Sequence, residues 1–205
     1  MNQKFFDLPE EKQQRIINSA LTVFSKYDYK KASTDEIVRL AGISKGLLFH
    51  YFSDKKTLYL FLLQYSSDFL IKEMSAFHDY QENDFFQILV DAQMCKMKVL
   101  SVHPHLMVFL TKAYLEDSES VKNNAALNFS SIIEESSKRF LQRADTQKFQ
   151  EGVSPKQVLD IILWMSDGYM RSRTPEQLSH LEALNDEYLA YLEVLRQHFY
   201  KPEYI

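Results

Sequence analysis

Five residues in one short segment have the chemistry of a nucleic-acid contact. Lys45 is a cation, while His50 and Tyr51 carry polar rings. Gly46 has no side chain, which allows a close backbone approach, and Leu47 adds an apolar group. At helical spacing all five would lie on the outside of the same helix. Cations bind phosphates and side chains bind base edges, so the segment is typical of a helix that reads the major groove of DNA.

Two short helices are predicted to hold these residues in place. Ser33 and Glu36 form a capping box, in which the serine oxygen accepts a hydrogen bond from a backbone N–H group. Gly42 comes where a left-handed residue would end that helix, and Ser44 is the N-cap candidate for the next one. Two helices joined by a tight turn with glycine form a helix-turn-helix. The positions predicted to be buried beneath this corner are Ile37, Leu40, Ala41, Leu48 and Phe52.

Residues 41–58, AGISKGLLFHYFSDKKTL, resemble the N-terminal signature of TetR-type (tetracycline repressor-like) transcriptional regulators. The resemblance extends over about residues 11–70. It implies that Thr34 and Lys55 hold DNA phosphates, and that Ser44 caps the recognition helix and touches the DNA backbone. The residues that it implies to face the major groove are Lys45, Gly46, Leu47, His50 and Tyr51.

One position departs from the family pattern. Where the family most often has a tyrosine, this chain has Phe49, so a hydroxyl that commonly contacts a phosphate is missing. Tyr51 or His50 would make that contact instead. Lys45 has two interpretations that stay open, because it could donate to guanine O6 and N7 or hold a phosphate. We expect Lys55→Ala to weaken binding to all DNA sequences equally, and Tyr51→Ala to weaken binding to the specific site more.

Length and charge favour two domains, of which the first is basic. The 205 residues are 45% apolar and 25% charged, which is typical of a globular protein. Residues 1–56 hold 10 basic against 7 acidic side chains, whereas the rest holds 14 against 21, so the net charge of −4 is unevenly distributed. A basic excess is needed where phosphates are neutralised. We therefore predict a DNA-binding domain at 1–56 and an effector-binding and dimerisation domain at 57–205.

The chain is predicted to be all-α, with about nine helices. Four glycines and no alternating runs of β-branched residues give no support for strands. A hydroxyl residue followed by proline, at 154–155 and 174–175, predicts the starts of the last two helices. The polar connector at 145–154 is the segment most expected to be disordered. The other helices are expected at about 9–27, 33–42, 44–52, 54–77, 84–102, 104–116 and 121–146.

The last two helices are predicted to form a dimer interface. The final helix has an apolar seam in steps of three and four residues, which indicates a partner helix. Its opposite side is also apolar, through Ala183, Leu184, Ala190, Tyr191 and Val194. We hypothesise that both helices pair with their copies across a two-fold axis, as the resemblance also implies; the alternative is burial within one subunit. The interface candidates are Leu163, Gly168, Leu181, Tyr188, Leu192 and Leu195.

Aromatic and methionine side chains are dense in the C-terminal part and have two interpretations. Most would belong to the core, and some could line an apolar cavity between helices. The candidates for such a cavity are Phe109, Tyr114, Trp164 and Met165. A small, largely apolar or aromatic effector bound there would shift a two-state equilibrium in the spacing of two DNA-reading helices, if it binds the two states with different affinity. The resemblance implies repression as the default, although the sequence does not separate a repressor from an activator.

Catalytic and metal-binding motifs are missing from the sequence. None of the six histidines is the second member of a Glu-x-x-His pair, and there is no His-Glu-x-x-His motif. Neither a Gly-x-Ser-x-Gly motif nor a phosphate-binding loop is present, so no enzyme, cofactor or metal site is expected. His103 and His105 flank Pro104 and are interpreted as the polar start of a helix. The alternatives are an effector-binding protein with a non-functional reader and, more remotely, an all-α metalloenzyme.

No segment is predicted to span a membrane. The longest uncharged run, residues 99–111, is shorter than the roughly 18 apolar residues that a spanning helix needs. The first residues lack the basic start and apolar middle of a signal peptide, so a cytoplasmic location is expected. Cys95 is interpreted as a buried core residue, with a redox-sensing thiol as the alternative.

Overall fold

Nine α-helices make up the fold in the computed structural model, which describes residues 3–76, 82–174 and 177–205. In chain order they are α1 (Glu10–Lys26), α2 (Thr34–Ala41), α3 (Lys45–Phe52), α4 (Lys55–Ala76), α5 (Phe85–Val102), α6 (Pro104–Tyr114), α7 (Lys122–Arg143), α8 (Pro155–Arg171) and α9 (Leu181–Phe199). Short 3₁₀ turns occur at Gln3–Phe5, Gln177–Ser179 and Pro202–Tyr204. These ranges contain no β-strand, so the prediction of an all-α fold is confirmed. None of their helices is both long and apolar enough to cross a bilayer.

The helices divide into two compact units that are discontinuous along the chain. The first unit contains Met1–Glu73 and Leu100–Ile132, and the second contains Met74–Val99 and Ile133–Ile205. Helices α1, α2 and α3 therefore share a compact unit with α6. The predicted division into a DNA-binding domain at 1–56 and an effector-binding and dimerisation domain at 57–205 stays a prediction.

The first unit is built around the apolar face of α1. The buried apolar residues of this helix are Ile16, Ile17, Ala20, Leu21, Val23 and Phe24. The predicted positions in α2 and α3 join this core, with one exception. Leu40 is 40% exposed, because the buried arc of α2 runs through Ile37, Ala41 and Val38 and leaves Leu40 outside. The prediction that Leu40 is buried is therefore wrong.

The N-terminal 3₁₀ turn adds an aromatic anchor to this core. Phe5 is fully buried, and its ring contacts those of Tyr51, Phe52 and Phe61 at centroid distances of 5.9, 4.9 and 5.3 Å. Aromatic pairs at such distances contribute about 0.5–1.5 kcal/mol beyond the burial of their area. The chain that precedes α1 is thereby tied to α3 and α4. The Phe-Phe pair ahead of Pro9 was the only sequence signal for this contact.

Helix α6 packs against α1 and completes the first unit. The ring of Phe109 lies 6.1 Å from that of Phe24 and 5.3 Å from that of Tyr59, measured between centroids. Near the start of α6, Ser25 Oγ is 3.1 Å from His105 Nδ1. The two contacts join both halves of α6 to the helix that supports α2.

An aromatic cluster forms the centre of the second unit. Phe85 lies 5.0 Å from Phe149, and Phe149 lies 5.0 Å from Tyr200, measured between ring centroids. Phe149 and Tyr200 also form an isolated antiparallel bridge. The expectation of disorder at 145–154 is therefore wrong. The single aromatic residue of this connector pairs with the chain end, which no local pattern indicates.

An ion pair holds the same connector to the start of α5. Lys148 Nζ donates to Asp84 Oδ2 at 2.8 Å, and both side chains are mostly buried. Burial alone would raise the pKa of the Asp84 carboxyl, but hydrogen bonds from Lys148 and from the backbone N–H of Gln87 outweigh burial and lower the pKa. The hydrogen bond to Asp84 raises the pKa of the Lys148 ammonium. Both groups are therefore charged in the folded protein near neutral pH.

The two predicted caps before α8 and α9 have different outcomes. Ser154 Oγ accepts a hydrogen bond from Gln157 N, and α8 begins at the next residue, as predicted. Thr174 and Gln177 also cap each other, since each backbone N–H donates to the other side chain. Their box starts only a 3₁₀ turn, and α9 begins at Leu181, so the prediction of a long helix from 174 is wrong. A cap satisfies the first donors of a turn but does not decide how far the helix continues.

Candidate nucleic-acid interface

Two serine caps and one glycine build the corner between α2 and α3. Ser33 Oγ accepts a hydrogen bond from Glu36 N at 3.5 Å, and Ser44 Oγ accepts one from Leu47 N at 3.1 Å. Gly42 has φ 64° and ψ 39°, a left-handed conformation that glycine adopts without steric cost. The predicted helix-turn-helix is confirmed, and local hydrogen bonds fix its geometry.

The first turn of α3 is open to solvent. Ser44, Lys45, Gly46 and His50 are exposed, and Leu47 is half-buried. A Cβ placed on Gly46 would meet open space, so packing within the chain does not require glycine there. Except for Tyr51, the residues predicted for the major groove therefore lie at or near the surface of α3.

Lys45 forms an ion pair with the acidic start of α2. Its Nζ is 2.9 Å from Asp35 Oδ1, and both side chains are at least half exposed. Thr34, the residue before Asp35, is half-buried. Exposed ion pairs are weak because water screens them, so a phosphate or a guanine can compete with Asp35 for the ammonium.

Tyr51 is buried, contrary to the prediction that it lies on the outside of α3. Only 5% of its surface is exposed, because Phe5 covers its ring. His50 is exposed. Two residues were candidates to replace the hydroxyl that is missing at Phe49, and His50 is the accessible one.

Lys55 makes its contacts inside the protein. Its Nζ donates to the carbonyl oxygens of Tyr29, Lys30 and Ala32 at 2.8, 3.3 and 3.2 Å, and it lies 4.7 Å from the centre of the Tyr29 ring. An ammonium group has three donors, so these carbonyls use its full capacity. Burial also lowers the pKa of this ammonium. We correct the expectation of a phosphate contact, because the side chain instead fixes the segment between α1 and α2.

A carboxylate fixes the same segment from another side. Glu116, just after α6, accepts hydrogen bonds from Tyr29 N at 3.1 Å and from Ser118 N at 2.8 Å. Glu116 and Tyr29 are 87 residues apart in the chain, so no sequence pattern could have indicated the contact. The residues that precede α2 are thus held by both α4 and the end of α6.

A strained turn separates α3 from α4. Ser53 has φ 64° and ψ −54°, and it alone has a positive φ among the described residues other than glycine. Asp54 N donates to Phe52 O at 2.7 Å, which makes a γ-turn centred on Ser53. Asp54 Oδ1 then accepts a hydrogen bond from Thr57 N at 2.7 Å, and this bond lowers the pKa of the carboxyl. The turn therefore fixes the start of α4 directly against the end of α3.

The predicted ligand-lining residues have different environments. Phe109 is fully buried in the core of the first unit, where its ring packs against those of Phe24 and Tyr59. Tyr114 contacts Phe129 at a centroid distance of 5.3 Å. Trp164 is 72% exposed on α8, so the prediction that it lines a cavity is wrong, and Met165 is half-buried. An isolated helix pattern does not tell an inward aromatic residue from an outward one when most sides of the helix are apolar.

The predicted dimer seam of α9 faces the core of its own unit. Leu192 is fully buried there, so its prediction as an interface residue is wrong. Three other candidates are half-buried against the same core, namely Leu163, Tyr188 and Leu195. The reason is that α5 occupies this side, where Gln93 Nε2 donates to Asn185 Oδ1 at 3.2 Å. Gly168 is exposed, and the side chain of Leu181 lies outside the described residues.

The opposite side of α9 is exposed and apolar, as is one side of α8. We call this surface the α8–α9 face, and its residues are Ile161, Trp164, Gly168, Tyr191 and Val194. The ring of Tyr191 lies 6.4 Å from that of Tyr169 on α8, so the two apolar stripes are neighbours. The face combines Gly168 of the predicted interface with Tyr191 and Val194 from the side opposite the seam. It also includes Trp164, which was predicted to line a cavity, and Ile161.

Metal-ligating residues are scattered in the described part of the chain. It contains no cluster of three or more histidine, cysteine or acidic side chains that could hold an ion. Cys95 is half-buried, its Sγ lies 3.7 Å from Met74 O, and burial raises the pKa of its thiol. A raised pKa reduces the thiolate fraction, which favours the interpretation of Cys95 as a packing residue.

Known proteins share the N-terminal segment with this chain. Residues 16–61 match the bacterial regulatory proteins of the tetR family. The HTH-type transcriptional regulator RutR of Escherichia coli strain K12 is 28% identical over 88 residues, which are 43% of this chain and 40% of that protein. The chain is thus aligned with less than half the length of this curated relative.

Solved structures share the fold over most of the chain. A TetR family transcriptional regulator from Chloroflexus aurantiacus has a TM-score of 0.66 and 20% identity, with 98% of both chains covered. The transcriptional regulator FadR from Bacillus subtilis, solved in complex with stearoyl-CoA, has a TM-score of 0.63 and 16% identity, with 87% of this chain and 96% of that chain covered. Because the sequence identities are so low, these two comparisons show a shared fold and not a shared role. The segment at 16–61, which contains the capped corner of α2 and α3, is therefore similar to the tetR family of bacterial regulatory proteins, and the chain as a whole shares the fold of the solved regulators.

Proposed function

We propose that this protein is a ligand-responsive, DNA-binding transcriptional regulator that acts as a repressor. The observation that carries the proposal is the corner between α2 and α3, which presents Lys45, Gly46 and His50 at the surface. A helix presented in this way fits the major groove, where side chains reach base edges. The family match at 16–61 supports the same function. A regulator of transcription acts where the DNA is, so we propose a cytoplasmic location.

The proposed DNA contacts are of two kinds. Thr34 and Ser44, at the starts of α2 and α3, lie where helix N-terminal N–H groups also attract a phosphate. Lys45 exchanges Asp35 for a phosphate or a guanine, and Leu47 offers an apolar contact to a base. His50 takes over the backbone contact that the family makes with a tyrosine hydroxyl. Tyr51 and Lys55 act indirectly, because they support α3 and the segment before α2.

We propose that two copies of the chain associate through the α8–α9 face. Exposed apolar patches of this kind mark interaction sites, and aromatic side chains are enriched at interfaces. A second copy is the natural occupant, since a two-fold axis buries the same face on both chains. Such a dimer would carry two copies of α3 and would therefore bind a palindromic operator.

We propose that a small, largely apolar effector releases the protein from DNA. The structural relative FadR was solved with stearoyl-CoA, which supports an apolar effector for this fold. Tyr114 and Met165 are the lining candidates that remain, since Phe109 belongs to the core and Trp164 is exposed. The effector changes DNA affinity only if it binds the two states of the regulator unequally.

Selection of bound sequences from a random duplex pool, at about 0.15 M salt, tests the proposal. The expected result is enrichment of an inverted repeat, because two copies of α3 read two half-sites. The recovered sequence then serves as a probe for effectors, which are recognised by release of the DNA. Absence of enrichment with a folded dimer would contradict the proposal.

A second candidate is an effector-binding protein whose reader does not bind DNA. Two lysines predicted to bind DNA already have partners within the chain, which favours this candidate. Lys45 is paired with Asp35, and Lys55 is bound to carbonyl oxygens. Affinity for random duplex DNA, measured between about 50 and 200 mM salt, separates the candidates. A steep loss of affinity with salt supports the regulator, whereas no binding even at the low-salt end supports the second candidate.

A further inference from the structure

A groove in the first unit has the size and composition of a small-molecule site. It encloses about 360 Å³ between α1, α4 and the turn that joins α5 to α6. Pockets for small molecules measure roughly 300–1,000 Å³, so this volume accommodates a compact ligand. None of the eleven lining residues is an aspartate, glutamate, lysine or arginine, and two of them are His103 and His105. Any charge inside the groove therefore comes from imidazole rings and is positive.

Apolar groups form the floor of this groove. Leu21 of α1 and Leu106 of α6 are buried beneath it. Tyr65 and Phe69 form one wall, with their rings nearly parallel at 18° and 6.5 Å between centroids. Val102 is largely exposed at the opening. Flat aromatic walls over a leucine floor fit a flat, apolar ligand body.

Polar nitrogen atoms surround that floor. The Tyr65 hydroxyl donates to Gln14 Oε1 at 3.2 Å, which leaves the Gln14 amide N–H groups to donate elsewhere. The His103 ring stands nearly perpendicular to the Phe69 ring at 4.8 Å, so one edge of the imidazole points away from that contact. Each group is held by a neighbour within the same groove, so the polar atoms are oriented before a ligand arrives.

His105 is oriented by Ser25, a buried serine of α1 that does not itself line the groove. Ser25 Oγ lies 2.9 Å from Thr22 O and 3.1 Å from His105 Nδ1, so the serine hydroxyl fixes the position of the ring. With Nδ1 engaged by Ser25, Nε2 is the ring nitrogen that remains for a ligand. An imidazole N–H group at this position can donate a hydrogen bond to a carboxylate.

We propose that this groove binds a small aromatic carboxylate. The ring of the ligand lies against Tyr65 and Phe69, and its carboxylate accepts hydrogen bonds from Gln14 and from the two imidazoles. No acidic side chain lines the groove to repel the anion. The site is separate from the proposed effector cavity, whose candidates Tyr114 and Met165 do not line it.

Calorimetric titration of the full-length protein with 1-naphthoate tests the proposal. Naphthalene-1-carboxamide and 1-naphthylmethylamine keep the ring and replace the anion with a neutral group and a cation. We expect 1-naphthoate to bind about tenfold more tightly than either analogue, since hydrogen bonds to a charged acceptor are stronger than those to a neutral one. Equal affinities for the three compounds would overturn the proposal.

Variants locate the binding. The double variant His103→Gln and His105→Gln removes both imidazoles, and we expect it to lose about tenfold in affinity for 1-naphthoate. Asn18→Trp fills the groove from its exposed rim on α1 and should abolish binding. His180→Gln, at an exposed histidine outside the groove, is the matched control and should bind as the parent protein does. Unchanged affinity in the double variant would overturn the proposal.

A measurement on the unmodified protein covers the case in which a variant does not fold. With histidine rings labelled for NMR, 1-naphthoate should shift the resonances of His103 and His105 and leave those of His180 and His198 in place. Shifts confined to other histidines would overturn the proposal. The titration involves no DNA, so its outcome is independent of whether the protein binds an operator.

Discussion

The Lys55 ammonium donates to three backbone carbonyls, and this makes the residue part of the support for the segment that precedes α2. Glu116 also binds this segment, because its carboxylate accepts a hydrogen bond from Tyr29 N. In the proposed DNA binding, a lysine in this position would act through the placement of α2 rather than through its charge. Its effect should therefore appear first in stability.

We expect Lys55→Ala to lower the free energy of unfolding by about 1–2 kcal/mol, because hydrogen bonds from a charged donor are lost at a partly exposed site. Urea denaturation followed by circular dichroism measures the change. Lys56→Ala is the matched control, since Lys56 is exposed, and it should leave stability nearly unchanged. Equal free energies of unfolding for the two variants would show that the Lys55 contacts do not stabilise the fold.

Ser53 gives a prediction of the opposite sign. A residue with a side chain at φ 64° is strained by roughly 1–2 kcal/mol, whereas glycine is not. Ser53→Gly should raise the free energy of unfolding by about 0.5–1 kcal/mol, after the greater entropy of the unfolded glycine chain is subtracted. The same urea titration checks this, with Ser53→Ala as the control that keeps the strain. Destabilisation by glycine would mean that the turn is not strained.

Among the elements, the connector between α7 and α8 depends most on distant partners. Phe149 packs with the C-terminal Tyr200, and Lys148 pairs with Asp84 ahead of α5. Three segments far apart in the sequence therefore order one another. Removal of the charge of Asp84 should therefore destabilise the packing of all three segments.

Asp84→Asn should lower the free energy of unfolding by about 1–3 kcal/mol at pH 7, because it breaks a mostly buried, charge-assisted hydrogen bond. The pKa of Asp84 is lowered in the folded state, so its contribution is present above the ordinary carboxyl pKa of about 3.9 and is lost as the pH falls through the lowered value. The pKa of Lys148 is raised, so the pair also weakens as the pH rises through that raised value.

Denaturation at pH 7 and at lower pH measures the difference between Asp84→Asn and the parent protein, which should shrink as the pH falls through the lowered pKa of Asp84. Asp160→Asn is the control, because its pair with Lys156 lies along the surface of α8 and should contribute little. A difference that persists at the lower pH would point to packing rather than charge.

For the molecule as a whole, the α8–α9 face determines the proposed assembly. Trp164→Glu places a charge at the centre of the apolar stripe, so the proposed dimer should dissociate at concentrations of about 1–10 μM. Sedimentation equilibrium measures the mass. Leu127→Glu is the matched control, because Leu127 is 68% exposed on α7 and lies outside this face. A dimer that survives Trp164→Glu would place the interface elsewhere.

The sequence determined the features that depend on neighbours in the chain. The caps at Ser33 and Ser44, the left-handed Gly42 and the resulting corner were all predictable, because their hydrogen bonds join residues about three apart. The all-α class followed from similar local patterns, namely the helical spacing of apolar residues and the capping residues at the ends of helices. The match to the tetR family rests on the same local segment.

The packing of distant segments decided which of these residues are accessible. Tyr51 is covered by Phe5, the Lys55 ammonium is bound to the segment before α2, and α5 occupies the seam of α9. Helical periodicity shows that a side of a helix is apolar, but not what it packs against. A helix that is apolar on two sides can pack either side against the core of its own unit. Only contacts between residues far apart in the chain distinguish a core residue from one left for a partner, a ligand or DNA.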